Sequence, residues 1–357
     1  MGQIKADDTH RDTRRRFEQW AQNPQCLANA ISAVHNISMG DVVKSEGGEP
    51  TMGQSPFAIA RGQAFEKALF RNDGQSLLEA LKAAGVLPGF AEGLADLRLR
   101  LHGGRCHSLD ESLAKTADLL RLISSGRAPS NAPWLVAGAT VRIPGGVMLP
   151  EAMLVLDALV IRHDQSPTAL IVGEIKTYPD RAGYTDAREL STARAQAGVY
   201  VHGLDLVLNE LGLGRSFEVA RHGFLVLTRP RFNRPSIRAN EDLRYQAERA
   251  KRGFQLLRTT AALLSSTEAG KRVEAVSGAA IHYCETCLAF CDRADICRAR
   301  VLDQGNGAVL GDDVARFLGK VTLQRAIELM SGAEPRTSAE QDLARRIKDF
   351  ENLRKLA

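Results

Sequence analysis

Met153-Leu154-Val155-Leu156-Asp157-Ala158-Leu159-Val160-Ile161 and Ala169-Leu170-Ile171-Val172-Gly173-Glu174-Ile175-Lys176 are the stretch that decides the fold, with His163-Asp164-Gln165-Ser166-Pro167 between them. Both runs are rich in Val, Ile and Leu, and the intervening residues favour turns, so the pattern predicts two strands paired as a hairpin. Side chains alternate along a strand, so Glu174 and Lys176 share one side while Ile175 points into the core. A carboxylate on such an apolar strand is costly to bury unless a cation or hydrogen bonds compensate it. Asp157, Glu174 and Lys176 therefore predict a site that takes a divalent metal, although a Glu-x-Lys string can also be a solvated pair. Hard oxygen ligands suit Mg2+ or Mn2+, which neutralise charge on a phosphate and acidify bound water. Lys176 would position or deprotonate that water, or hold phosphate charge.

The flanking sequence adds two helices. Ser55 to Phe70 offers a Ser N-cap, Pro56 at the first helical position and apolar residues at 57, 60, 64, 65, 68 and 69, so it reads as a half-buried helix carrying Glu66. Asp186 to His202 reads as another, on which Gln196 and Tyr200 stand four residues apart and share a face that could look onto substrate.

The order Arg61-Gly62-x-x-Phe65-Glu66, Asp157, Glu174-x-Lys176, Gln196-x-x-x-Tyr200 resembles the PD-(D/E)xK nuclease superfamily, and its RecB-like exonuclease branch in particular. The match covers residues 55 to 230 and ends in Arg221 to Thr228, which looks like the family's next core strand. The resemblance implies an α/β, restriction-endonuclease-like core, a central mixed sheet flanked by helices. It implies that Glu66, Asp157 and Glu174 bind metal, that Lys176 is catalytic, and that Gln196 and Tyr200 contact DNA or order the site. Many RecB-like members carry a histidine where this chain has Glu66. The long stretch between Glu66 and Asp157 exceeds a minimal core. Gln75 to Leu87 and Leu109 to Ile123 have helical spacing, which predicts a helical insertion over about 71–130.

Cys284-x2-Cys287-x3-Cys291-x5-Cys297 places four of the six cysteines within fourteen residues. No secretory signal or long apolar run is evident, so an intracellular, cytoplasmic setting is expected, where clustered thiols bind metal rather than form disulfides. Four thiolates hold tetrahedral Zn2+ or an iron-sulfur cluster. Some RecB-like nucleases, CRISPR-associated and helicase-linked ones among them, hold a [4Fe-4S] cluster with one cysteine before the core and three after it. That resemblance implies Cys26, Cys287, Cys291 and Cys297 as ligands, with Cys284 an alternative to Cys287. Under the zinc reading Cys284, Cys287, Cys291 and Cys297 suffice. Cys106, beside His107 and near His102, reads as an ordinary thiol in a loop, and His282 is not placed in the metal set.

At 357 residues, 44% hydrophobic and 25% charged, the chain can bury a large core. Net charge is only +5, but residues 221–258 hold ten Arg or Lys against three acids. Such a patch neutralises phosphates, and Phe232, Tyr245 and Phe254 within it would stack on bases or sit in a core. Arg11, Arg14, Arg15 and Arg16 form a second basic cluster. Thr337 to Ala357 reads as an amphipathic helix with Leu343, Ile347, Phe350 and Leu356 on one stripe, and Asp41 to Pro56 as a flexible loop. No Gly-x4-Gly-Lys-Ser/Thr motif occurs, so a helicase motor would have to come from a partner.

The expected organisation is thus an N-terminal segment (1–54) with one cluster cysteine, a nuclease core (55–230), and a helical, cysteine-ligated C-terminal lobe (231–357). The expected activity is Mg2+- or Mn2+-dependent hydrolysis of DNA, on single strands or free ends, in repair, recombination or antiphage defence. The alternative is a non-catalytic DNA-binding subunit whose metal-cysteine lobe serves a partner helicase or defence complex. No membrane association is expected.

Overall fold

The computed structural model describes residues 20, 23–35, 37–50, 56–126, 132–143, 153–229, 234–264, 269–284, 287–305 and 307–356. It is an α/β protein built on a mixed sheet of seven strands: β1 (Leu94–Asp96), β2 (Leu135–Arg142), β3 (Met153–Arg162), β4 (Thr168–Pro179), β5 (Phe217–Val219), β6 (His222–Thr228) and β7 (Pro235–Asp242). The helices are α1 (Leu27–His35), α2 (Met39–Ser45), α3 (Pro56–Leu69), α4 (Gln75–Ala83), α5 (Leu109–Ser124), α6 (Ala187–Glu210), α7 (Arg244–Leu264), α8 (Arg272–Gly278), α9 (Cys287–Phe290), α10 (Ala294–Gln304), α11 (Asp312–Leu318), α12 (Leu323–Met330) and α13 (Ser338–Leu356).

The two apolar runs form the expected hairpin, β3 antiparallel to β4 from Arg162↔Ala169 to Ala158↔Gly173. The strand order is β1-β2-β3-β4-β6-β7, with β5 beside β4; β1/β2, β4/β5 and β4/β6 are parallel and the other pairs antiparallel. Alternation along β6 shows how the layers are built. Phe224 and Val226 pack with Phe65 and Leu69 of α3 and Leu77 and Leu81 of α4, while Leu225 and Leu227 pack with Leu190 and Ala193 of α6. Helices thus cover both faces, and strands buried on both sides read as nearly continuous apolar runs.

The chain divides into two compact units, one comprising 1–22, 33–36 and 53–267 and holding the sheet, the other comprising 23–32, 37–52 and 268–357. The boundary expected at residue 230 therefore falls later, because β7 is bonded along β6 and α7 packs on α6. The stretch after Glu66 has the two expected helices, α4 and α5, but it is not a purely helical insertion. β1 lies between them and joins the sheet beside β2, and Ser112 of α5 donates to Gly138 O of β2 at 3.0 Å.

Two local expectations are corrected, and one left open is decided. Asp41 to Ser45 is helix rather than loop, because Ser38 caps α2 by accepting from Gly40 N at 3.1 Å and Val42 and Val43 are buried. Phe254 is 2% exposed and packs edge-on against Trp20, so it belongs to the core, whereas Tyr245 is exposed. In α13, Leu343 and Ile347 are buried as expected, but Phe350 is 65% exposed and off the stripe. Ser55, Phe232 and the arginines at 11–16 lie outside the described residues, as does the side chain of Leu356.

Candidate active site and cysteine pocket

The β3/β4 ladder stops at Ala158↔Gly173, yet both strands continue past it. β3 goes on pairing with β2 and β4 with β6, so the two strands fork at Asp157 and Glu174. At the fork a side chain replaces the missing backbone acceptor: Ile175 N donates to Asp157 Oδ2 at 3.0 Å. Asp157 is 6% exposed and Glu174 0%. Glu174 Oε1 pairs with Lys176 Nζ at 2.9 Å, which supplies the cation that a buried carboxylate requires.

Asp157 and Ile175 line a cavity that leaves about 50 Å³ open to the centres of water-sized molecules. Glu66 of α3 lines the same cavity, as do Arg98 and His102 from the segment after β1. Glu174 stands in register with Leu225, on the face that α6 covers. The structure thus joins Glu66 to Asp157 in one cavity and Glu174 to Lys176 in one ion pair, with the backbone of Ile175 between them. The three carboxylates fit a hard divalent cation by donor type. Among the described residues, however, no group of three or more His, Cys, Asp or Glu side chains is drawn together as a metal site.

Gln196 Nε2 donates to Tyr200 Oη at 3.2 Å, as their i,i+4 spacing on α6 allows. They are 3% and 1% exposed, so the face they share is turned inward. Their geometry suits ordering the core around β4, against which α6 packs. Arg98 and His102 were not singled out as site residues from the sequence. Only the Asp96-x-Arg98 spacing hints at them, since Arg98 pairs with Asp96 through Nε at 2.9 Å and Nη2 at 2.8 Å. Cys106 is fully buried, in keeping with an ordinary thiol.

In the second unit, Cys26, Cys287, Cys291 and Cys297 line one pocket together with Asn23, His282 and Arg293. Cys284 is not among its lining residues, but its Sγ lies 3.6 Å from that of Cys287. Asn23 Nδ2 donates to Cys287 Sγ at 3.3 Å and to His282 O at 2.6 Å, a role the sequence did not reveal. The hydrogen bond with Cys284, together with burial, pushes the Cys287 thiol up. Burial pushes Cys291 up to about 12 and raises Cys297 as well. Sulfur donors of this kind suit a thiolate-bound metal by type, although among the described residues no three of them are drawn together as a metal site.

Arg293 is 1% exposed beside these thiols. It donates to Glu46 Oε2 through Nε at 3.0 Å and to Glu46 Oε1 through Nη2 at 2.6 Å, and Arg300 Nη2 reaches Glu46 Oε1 at 2.9 Å. Among the described residues no helix is long and apolar enough to cross a membrane. Compared with protein-family models, curated proteins and solved structures, the chain matches none.

Proposed function

We propose that the first unit is a metal-dependent nuclease that hydrolyses phosphodiester bonds in DNA, with single strands or free ends as substrate. One observation carries this reading: at the strand fork Asp157 accepts from the backbone of Ile175 and shares a cavity with Glu66, while Glu174, next in sequence to Ile175, pairs with Lys176. Glu66, Asp157 and Glu174 would hold Mg2+ or Mn2+, which when bound neutralises phosphate charge and acidifies water. Lys176 holds a proton and a positive charge next to Glu174, where it can orient an attacking water or stabilise an oxyanion. Gln196 and Tyr200 support this arrangement from α6.

The second unit, in this proposal, carries a [4Fe-4S] cluster on Cys26, Cys287, Cys291 and Cys297. Its support is the pocket those four thiols line, together with the hydrogen bond to Cys287 Sγ, a feature that tunes such clusters. The zinc reading draws on a separate observation, since the 3.6 Å between Cys284 and Cys287 sulfurs is close to the edge of a tetrahedral Zn–S4 site. A broad visible absorption band, lost in Cys26→Ala, identifies the cluster; colourless protein with stoichiometric zinc overturns it. Repair, recombination or antiphage defence, with a helicase or defence-complex partner in the cytoplasm, is the setting this chemistry suits.

The test of activity is cleavage of single- and double-stranded DNA by purified protein with Mg2+ or Mn2+, beside Lys176→Ala. Cleavage that persists in the variant removes the mechanism. Absence of cleavage on every substrate favours the alternative of a DNA-binding subunit.

A further inference from the structure

Arg98 is held more firmly than an ion pair alone would hold it. Asp96 grips it through Nε and Nη2, and its guanidinium carbon lies 3.9 Å from the centroid of the Phe70 ring, four residues beyond Glu66. The backbone is shaped around it as well. Gly138 has φ +69°, and a Cβ there would stand 2.7 Å from Arg98 N and Cγ. A Cβ on Gly104 would stand 2.1 Å from Arg98 O.

The position of Gly138 gives this fit its meaning. In the β2/β3 ladder Ala137 faces Ala158 and Ala139 faces Leu156, which sets Gly138 opposite Asp157. A glycine inside a strand weakens it and marks a close approach of other backbone. Here the space a side chain would fill is taken by Arg98, beside the acid at the fork. Arg98 and Asp157 line the same cavity.

Stability alone does not explain the arrangement. An Arg–Asp pair with each side chain 10% exposed is no better for stability than a well-packed apolar pair, and the two glycines add a conformational cost. Position explains it. A guanidinium has five N–H donors in a planar fork, of which the two bonds to Asp96 occupy two, and that fork matches the oxygens of a phosphate.

We propose that Arg98 is a substrate-binding residue that grips a non-bridging phosphate oxygen of the nucleic-acid strand entering the cavity beside Glu66 and Asp157. The proposal rests on the nuclease reading for its substrate class. Asp96 is the positioning residue that fixes the plane of the fork.

The test is anisotropy of a fluorescein-labelled oligo(dT) with Ca2+ over a range of salt concentrations, beside steady-state cleavage with Mg2+, for wild type, Arg98→Ala and Arg98→Met. Methionine keeps a long stem against Phe70, so it decides the matter if the alanine variant does not fold. Loss of one charge-assisted contact raises Kd and KM about tenfold with a smaller change in kcat. It also lowers the slope of log K against log salt by roughly 0.7, the share of one phosphate on a single strand. A merely structural role would leave that slope unchanged. Wild-type cleavage with a folded Arg98 variant identical in Kd and slope overturns this proposal and leaves the nuclease reading standing. Wild-type binding with an Arg98-dependent slope but no cleavage overturns the nuclease reading and keeps this one. Absence of binding and cleavage overturns both.

Discussion

Glu46→Gln tests the buried charge cluster beside the cysteine pocket. Glu46 accepts from Arg293 at 2.6 and 3.0 Å and from Arg300 at 2.9 Å, and Arg293 is 1% exposed. Glutamine keeps the shape but removes the negative charge, leaving Arg293 only neutral acceptors, the amide oxygen at 46 and the backbone oxygens of Val276 and Ser277. Two unit charges about 4 Å apart at an effective dielectric near 20 attract by about 4 kcal/mol. Removing one partner of a buried pair costs about 3–5 kcal/mol, in agreement. Urea unfolding followed by far-UV circular dichroism should show the second unit's transition moving to lower urea by that amount. Trp20 and Trp134 both belong to the first unit, so tryptophan fluorescence supplies an internal reference.

The pH dependence has a defined sign. Burial works to raise the Glu46 carboxyl, but hydrogen bonds from Arg293 and Ser277 and the charges of Arg293 and Arg300 prevail and leave it below its ordinary value. Its contribution is therefore fully present above the unfolded pKa of about 4.5 and is lost as pH falls through the lower folded value. The difference between wild type and Glu46→Gln should shrink below that pH. Arg142 and Glu210 form a control pair at 3.0 Å that is 46% and 42% exposed, and Glu210→Gln should change little. If Glu46→Gln were as mild as that control, the argument from burial would be refuted.

Other outcomes follow from the same geometry. Gly173→Ala puts a Cβ 2.2 Å from the buried ring of Phe224, next to Glu174, so it should cost about 1–3 kcal/mol in urea unfolding and reduce cleavage. Gly138→Ala combines a left-handed φ of +69° with contact on Arg98, so it should destabilise by a similar amount and weaken oligonucleotide binding in the anisotropy assay. Tyr200→Phe removes the hydrogen bond from buried Gln196 and should cost about 1 kcal/mol by thermal or urea melting, with DNA affinity unchanged because Tyr200 does not reach the surface.

Much of the fold was legible in local sequence. The β3/β4 hairpin followed from two apolar runs and a turn, and α3, α4, α5 and α13 from apolar periodicity, because burial on one face imposes a period of 3.6 or 2. The short strand β1 was missed because three residues carry no period, and its pairing with β2 is a long-range choice. The Asp41 loop reading failed for a different reason, since Ser38 and two buried valines outweighed the polar composition around them.

For the site, the sequence by itself determined which chemistry the chain carries: two acids and a lysine on adjacent strands, and a set of closely spaced thiols. Those readings need only residue type and strand period. What the tertiary structure decided is which of these groups meet. The fork places Asp157 in a cavity with Glu66 and pairs Glu174 with Lys176, because each strand turns to a different neighbour once their ladder ends. Arg98 and Asn23 entered only there, since a packed chain sets residues far apart in sequence side by side wherever small residues leave room, as Gly138 does for Arg98.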